Sequence, residues 1–203
     1  NGKAELVHEA GGQVYTLMCG GKALIHAQEY SEDTGDTVFN LYSYAPGEGR
    51  QLLLADIFDF NASKDGSVIA FTRLDPEGGE SLYILRNGEE TRLADEMGLA
   101  GADEGFDNIY GVRYTYGEAY CTLTRIGRDG QAEDILTKED GSHIYLAAVK
   151  MDHTYQAVES RIYKYGLNDG KLDPSPECVA RGTYLDSIQP MDGGIFYTDY
   201  TQS

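Results

Sequence analysis

The sequence repeats one order of short segments at intervals of about 40 residues, a period found in several repeat architectures. A turn that contains glycine precedes an apolar run, an alternating run with a tyrosine follows, and a short run after a polar turn completes the unit. Corresponding positions lie 41 residues apart at Leu41 and Leu82, and 39 residues apart at Leu54 and Leu93. The apolar residues lack the i, i+3, i+4 spacing of helices, so the repeat predicts an all-β chain and excludes a helical solenoid.

The apolar runs that follow the glycine turns are continuous rather than alternating. They are Ala23–Ala27, Val68–Thr72, His143–Val149 and Ile195–Thr198. A strand that is covered on both faces reads as a continuous apolar run, whereas outer strands alternate. A period of about 40–45 residues with several strands per unit is typical of propeller blades. We therefore predict a β-propeller of four-stranded antiparallel blades.

The repeats define a single propeller domain or propeller segment over residues 1–203. Its blade-like units are predicted at approximately 11–56, 57–95, 107–137, 138–181 and, in part, 184–203. In the third unit one strand is missing or displaced, because the segments up to Thr137 leave almost nothing to begin the next blade before Asp140. The chain is thus predicted to hold about four to five blades.

One unit carries a more specific pattern. The run Ala62-Ser63-Lys64-Asp65-Gly66-Ser67-Val68-Ile69-Ala70-Phe71-Thr72 is followed by Ser81–Leu85 and Glu90–Leu93. This stretch resembles the TolB-type (WD40-like, PD40) propeller repeat, although Lys64 stands where proline is usual. The tyrosine-rich runs Arg161–Tyr165 and Gly193–Tyr197 are similar to propeller domains of bacterial cell-envelope proteins.

The resemblance implies a propeller of six to eight blades and an extracytoplasmic location. At 39–44 residues per blade, 203 residues are too few for that number, so we expect this chain to be part of a longer propeller. These motifs support a fold and say little about function.

Charge narrows the classes of partner. The chain has 16 Lys and Arg against 34 Asp and Glu, a formal net charge of −18. A surface of that sign repels phosphate, which argues against nucleic acid and anionic lipid and leaves basic or neutral partners. No stretch approaches the roughly 20 apolar residues of a membrane helix, so no membrane insertion is predicted in this segment. We expect a monomer.

Acidic residues in the loops raise the question of a bound metal. Asp95, Asp103 and Asp107 are the strongest candidates, because a glycine-rich loop over 98–105 can fold their carboxylates inward toward calcium. None of the acidic clusters has the D-x-[DN]-x-[DN]-G spacing. The alternative is that they are solvated loops that keep sheet edges soluble. The three cysteines, Cys19, Cys121 and Cys178, are widely spaced and are predicted to be small buried side chains on strands.

No catalytic constellation is evident in the sequence. There is no Gly-x-Ser-x-Gly elbow, and the four histidines share no metal-ligand spacing. His26 and His143 lie inside apolar runs and are predicted to be core or rim residues. Paired carboxylates could serve as the acid and base of a glycosidase, but sequence does not place any two of them at the required separation.

Tyrosine is the remaining signal, with 16 in the chain. Its ring gives a large contact area at a small entropic cost, which suits peptide and carbohydrate surfaces. Most tyrosines fall on strands, where they pack blades, so the contact candidates are those in loops or at strand ends: Tyr30, Tyr155, Tyr184 and Tyr200.

We therefore predict a non-catalytic, extracytoplasmic binding or scaffold module that recognises a protein or glycan through its rim loops. The alternatives are a carboxylate-dependent glycosidase or lyase-type propeller enzyme, and a structural spacer without a ligand.

Overall fold

The computed structural model describes residues 7, 11–32, 35–75, 79–114, 121–136, 144–150, 153–158, 161–168, 171–173, 175–183, 185–191 and 194–199. These residues form strands and turns. Within these ranges no helix is long and apolar enough to cross a membrane. The chain divides into two compact units, Asn1–Arg92 and Leu93–Ser203.

The first unit begins with sheet one, an antiparallel meander of four strands. Its strands are β1 (Val14–Cys19), β2 (Lys22–Tyr30), β3 (Thr37–Ala45) and β4 (Gly49–Leu54). The turn between β1 and β2 is Gly20-Gly21, with φ of 55° and 81°. Such positive values suit a two-residue hairpin and cost glycine nothing.

Sheet two has the same four-stranded order. Its strands are β5 (Asp59–Ala62), β6 (Val68–Leu74), β7 (Glu80–Arg86) and β8 (Glu89–Asp95). Asn87 and Gly88 link β7 to β8 with φ of 54° and 79°, the pattern of a tight hairpin turn. Ile69–Thr72 are buried in succession, so both faces of β6 are covered, which is why its sequence is a continuous apolar run.

The first unit has its core between sheets one and two. Seven buried residues from both sheets and their connection pack together there: Cys19, Leu24, Leu41, Leu54, Ile57, Ile69 and Phe71. Period-two alternation places Leu24 and His26 on the face of β2 that meets sheet two.

Sheet three opens the second unit. Its strands are β9 (Gly98–Ala102), β10 (Asn108–Tyr114), β11 (Cys121–Gly127) and β12 (Ala132–Leu136). The sheet therefore begins at Gly98, whereas the sequence places the start of the third unit at 107. Apart from one leucine, β9 consists of glycine and alanine, which have low strand propensity. The pairing of β9 with β10 also shifts register between Tyr110 and Gly111, so β9 is an irregular strand.

Sheet four is built around β15, and sheet five is a hairpin. The strands of sheet four are β13 (Ile144–Lys150), β14 (His153–Val158), β15 (Arg161–Asn168), β16 (Lys171–Leu172) and β17 (Glu177–Arg181). Sheet five pairs β18 (Leu185–Met191) with β19 (Gly194–Asp199). Tyr110, Val112, Leu123 and Leu167 form one buried cluster of the second unit, and Ile162 and Leu185 form another.

Two of the cysteines differ in exposure because of where they lie in their sheets. Cys19 ends β1 and is buried in the core of the first unit, as predicted. Cys178 is exposed, so the prediction of a buried thiol is wrong for this residue. The reason is that β17 pairs with β15 on one side and forms an outer strand of sheet four. The side chain of Cys121 lies outside the described residues.

Candidate functional site

One end of the first unit carries a cluster of aromatic rings. We call it the aromatic end, the end at which β1, β3, β5 and β7 begin; the opposite end, where these strands finish, is the turn end. The aromatic cluster consists of Tyr15, His26, Phe39, Phe58 and Phe60. It combines side chains from both sheets with the connection between β4 and β5.

His26 is the centre of the aromatic cluster. It is only 6% exposed, and its ring centroid lies 5.6 Å from that of Phe39 and 5.5 Å from that of Phe60. Its Nε2 atom lies 3.1 Å from the carbonyl oxygen of Ile57. Because a carbonyl oxygen only accepts, Nε2 carries the hydrogen in this bond. The bond satisfies the buried ring and fixes the β4–β5 connection against β2, which fulfils the prediction of a core histidine.

Tyr15 lies at the exposed edge of the cluster. It pairs directly with His26 across β1 and β2, and the two ring centroids are 6.3 Å apart. The Tyr15 hydroxyl donates to the side-chain Oε1 of Gln13 at 3.1 Å. The backbone amide of Gln13 in turn donates to Oε1 of Gln28 at 3.2 Å. Although it is 57% exposed, Tyr15 is thus held at both the ring and the hydroxyl.

Phe58 forms the second exposed edge. Its ring is 54% exposed and meets Phe39 edge to face, with centroids 6.5 Å apart. Its backbone amide donates to the Thr72 carbonyl at 2.9 Å, and the preceding amide of Ile57 donates to the Phe39 carbonyl at 2.8 Å. The backbone that presents this exposed ring is therefore tied to strands on both sheets.

Two carboxylates flank this surface. Asp59, which directly follows Phe58, accepts a hydrogen bond from the Phe60 amide at 2.7 Å. The residue as a whole is exposed, but burial of its carboxylate raises the pKa of Asp59. The hydrogen bond from the Phe60 amide and the electrostatic effect of His26 oppose this rise. Burial, together with the nearby Asp59 carboxylate, raises the pKa of Glu80. The two acids therefore interact with each other at the start of β5 and β7.

The two ends of the first unit differ in charge. At the aromatic end, the described connections and terminal strand residues up to Arg92 carry acidic side chains and neither Lys nor Arg: Glu32, Asp36, Asp56, Asp59, Asp75 and Glu80. At the turn end, the connections and terminal strand residues carry three basic and three acidic side chains: Lys22, Lys64 and Arg86, and Glu48, Asp65 and Glu89. Two arginines within the strands reach the aromatic end, where Arg92 pairs with Asp75 at 2.8 Å and Arg73 donates to the Ala55 carbonyl at 3.4 Å. The aromatic end therefore keeps an excess of acidic side chains, whereas the turn end is balanced.

No family model matches the chain, and no curated protein matches it. Solved structures do match. A structure from a study of two prolyl endopeptidases aligns with a TM-score of 0.62 and 10% identity, over 88% of this chain and 30% of the other. The β-propeller domain of the Trilobed protease from Pyrococcus furiosus aligns with a TM-score of 0.58 and 11% identity, over 85% of this chain and 59% of the other. TolB from Acinetobacter baumannii aligns with a TM-score of 0.56 and 13% identity, over 83% of this chain and 43% of the other.

The fold is a TolB-like β-propeller. The prediction of an all-β propeller with four-stranded antiparallel blades is confirmed. At identities of 10–13% the likeness shows the fold alone. The chain spans 30%, 59% and 43% of the three matched chains. Peptidases and TolB share this propeller, so the fold does not select between a catalytic and a binding role.

Of the tyrosines predicted to make contacts, Tyr30 lies at the aromatic end of the first unit. It ends β2 on the same face as His26 and Gln28, and it is 69% exposed. Its hydroxyl lies 3.6 Å from the Cβ position of Gly35 in the β2–β3 connection. Tyr155 occupies β14, but its side chain is not among those that the structure describes. Tyr184 and Tyr200 lie outside the described residues.

The three aspartates predicted to bind calcium are not brought together in the propeller. Asp103 and Asp107 share the turn between β9 and β10, whereas Asp95 ends β8 beyond the other end of β9. A five-residue strand such as β9 spans roughly 16 Å. Asp103 accepts hydrogen bonds from the amides of Asp107 and Asn108 at 2.9 and 3.1 Å and from Nδ2 of Asn108 at 2.6 Å. Among the described residues no group of three or more His, Cys, Asp or Glu side chains is arranged to hold a metal.

Sequence reasoning missed the two exposed aromatic residues at this end of the first unit. Tyr15 and Phe58 are 43 positions apart, and the β-strand pattern gave no reason to single them out. Only Phe58, in the short connection between β4 and β5, offered a signal, because an aromatic residue in a connection has no sheet face of its own to pack on.

Proposed function

We propose that this chain is a non-catalytic binding module that holds a protein or glycan partner against the aromatic end of its first unit. The observation that carries the proposal is the exposure of Tyr15 and Phe58 at the two edges of an aromatic cluster whose other rings are buried or half-buried. Tyr30 extends the same surface along β2.

Fixed aromatic rings make efficient contact surfaces. The hydrogen bond of Tyr15 and the backbone ties of Phe58 restrain both residues before a partner arrives. Binding would then immobilise few additional rotatable bonds, which is the usual advantage of a preorganised aromatic anchor. Polypeptides and sugars both stack on such rings, so the rings alone do not choose between them.

The proposal includes an extracytoplasmic location, which rests on the resemblance of the tyrosine-rich runs to propellers of bacterial envelope proteins. Fractionation of the native host tests it. Recovery of the full-length protein only in the cytoplasmic fraction would refute this part of the proposal.

One observation favours a second candidate function, a carboxylate-dependent hydrolase or lyase. Asp59 and Glu80 interact electrostatically, and both have raised pKa values. General acid and base catalysis on a glycosidic bond uses a pair of carboxyl groups, and the one that acts as the acid has a raised pKa. We rank this function second because it rests on one pair of carboxylates, whereas exposed aromatic rings of a strand and of a connection support the binding proposal.

The experiment compares binding of the wild-type chain and the Tyr15→Ala/Phe58→Ala double variant on arrays of peptides and of neutral glycans. Met18→Ala is the matched control, because Met18 is exposed on the same strand at the turn end. Loss of the wild-type signals in the double variant but not in Met18→Ala supports the proposal. Absence of any signal that depends on Tyr15 or Phe58 contradicts it and favours a structural spacer.

Catalysis is tested separately with a panel of glycoside and ester substrates. The proposal expects no turnover above that of a buffer blank. Turnover that Asp59→Asn or Glu80→Gln abolishes, with unchanged circular dichroism, would replace the binding proposal with the enzymatic one.

A further inference from the structure

We infer that the partner of the aromatic end is a polypeptide segment that carries Lys or Arg side chains. This inference rests on the proposed function and narrows it, since the aromatic rings alone would serve a glycan as well. What selects the partner is the charge that surrounds the rings.

The carboxylates at the aromatic end are close to the exposed rings. Asp59 follows Phe58 in the chain, and its carboxylate interacts electrostatically with His26 at the centre of the cluster. Asp56, two residues before Phe58, is exposed. A side chain that lies on the Phe58 ring therefore meets negative charge on both sides of it along the chain.

Two arginines within the strands offset part of this charge: Arg92 pairs with Asp75 at 2.8 Å, and Arg73 donates to the Ala55 carbonyl at 3.4 Å. The described connections and strand termini of this end, up to Arg92, still carry six acidic side chains, so carboxylates remain in excess. The balance of charges at the turn end of the same two sheets shows that this is a local property and not merely the chain's net charge of −18. A positive partner would be attracted to the aromatic end, whereas an acidic or phosphorylated one would be repelled.

Lys and Arg side chains match this combination of groups. A guanidinium or ammonium group is attracted to the face of an aromatic ring and forms charge-assisted hydrogen bonds with carboxylates. Its aliphatic stem also covers apolar surface, such as the exposed parts of Tyr15 and Phe58. A neutral sugar would use the rings but would gain nothing from the excess of carboxylates.

The test uses a short peptide in which Lys and Arg alternate with Gly and Ser. The comparison probes are a matched peptide with Glu in place of the basic residues and a set of neutral oligosaccharides. Binding to the whole chain is measured by titration calorimetry at low and at physiological ionic strength. We expect the basic peptide to bind, the acidic peptide not to bind, and salt to weaken the complex.

Variants locate the binding. Tyr15→Ala and Phe58→Ala are each expected to weaken binding of the basic peptide by about tenfold. Asp59→Asn removes one charge with little change of shape and is expected to weaken binding roughly two- to fivefold. Glu89→Gln, which removes an exposed charge at the turn end, is the matched control and is expected to leave binding unchanged. Each variant's melting temperature and circular dichroism are compared with the wild type to confirm that it is folded.

Three outcomes overturn the inference. If the basic peptide does not bind, or if Glu89→Gln weakens it as much as Asp59→Asn does, the attraction is absent or belongs to net charge alone. If a neutral oligosaccharide binds and depends on Tyr15 and Phe58 while the basic peptide does not, the inference fails but the proposed binding function stands. If no probe depends on Tyr15 or Phe58, both fail.

Discussion

A Cβ atom on Gly20 would lie 2.6 Å from the backbone oxygen of Asp65. Gly20 begins the turn between β1 and β2, with φ of 55°, and its amide donates to the Lys64 carbonyl at 2.8 Å. The hairpin turn of sheet one thus contacts the β5–β6 turn of sheet two, backbone against backbone. Since neither backbone can move aside as a flexible side chain would, glycine is required here.

We predict that Gly20→Ala lowers the free energy of unfolding by about 2–4 kcal/mol, because it adds a steric clash to the strain of a positive φ. Gly21→Ala is the matched control: it also has a positive φ, of 81°, but nothing lies within 4 Å of its Cβ position. Urea denaturation of the two variants separates the clash from the strain. Equal losses would show that the contact with Asp65 contributes nothing.

Asp65 makes the same turn sensitive to acid. Its carboxylate accepts hydrogen bonds from the Ser63 hydroxyl at 2.7 Å and from the Ser67 amide and hydroxyl at 3.0 and 2.8 Å, which lower its pKa from 3.8 to about 2. A lowered pKa in the folded state stabilises the protein above the unfolded value, and this contribution disappears as pH falls toward 2. We expect Asp65→Asn to reduce the fall in melting temperature between pH 4 and pH 2. An unchanged slope would contradict the assignment.

Asp59 is expected to show the opposite dependence. Burial raises its pKa above the ordinary 3.8, so the folded state holds this proton more tightly than the unfolded state. Stability from this group is present at low pH and is lost as pH rises through the folded-state pKa. We predict that Asp59→Asn melts at a higher temperature than the wild type at neutral pH, and that the difference disappears below pH 4. A less stable Asp59→Asn at neutral pH would be inconsistent with a carboxylate that is costly to ionise.

The core of the first unit can be probed with a pair of leucines. Leu41 is 0% exposed between sheets one and two, so Leu41→Ala removes buried apolar volume and should cost about 2–5 kcal/mol. Leu52, on the neighbouring strand β4, is 55% exposed, and Leu52→Ala should change stability by less than about 0.5 kcal/mol. Urea denaturation measures both. Similar losses for the two variants would mean that sheets one and two do not enclose Leu41.

Calcium binding by Asp95, Asp103 and Asp107 stays a prediction. Because Asp95 lies beyond the other end of β9, only Asp103 and Asp107 in the β9–β10 turn remain candidates to share one ion. It requires a higher melting temperature in millimolar calcium than in a chelator, and a smaller difference in Asp107→Asn. Identical melting temperatures in the two conditions would end the hypothesis. Asp103→Ala should lower stability in both conditions, since Asp103 holds the Asp107 and Asn108 amides.

The sequence by itself determined the class of fold and most of the strands. Strand periodicity and turn chemistry are local properties, so the glycine turn at 20–21 and the apolar run of β6 could be recognised from neighbouring residues alone. β9 escaped recognition because glycine and alanine carry little strand signal, and its place depends on pairing with β10.

Tertiary structure alone decided the candidate site. The contact of Tyr15 with His26 depends on the register of β1 against β2, and the contact of Phe39 with Phe58 depends on how the β4–β5 connection crosses the end of sheet one. The same holds for Asp95 and Asp103, which are close in sequence but lie at opposite ends of β9. An extended strand separates its ends by about 3.3 Å per residue, while sheet packing brings distant segments together. The surface that a partner would meet is therefore fixed by register and packing, which no local pattern encodes.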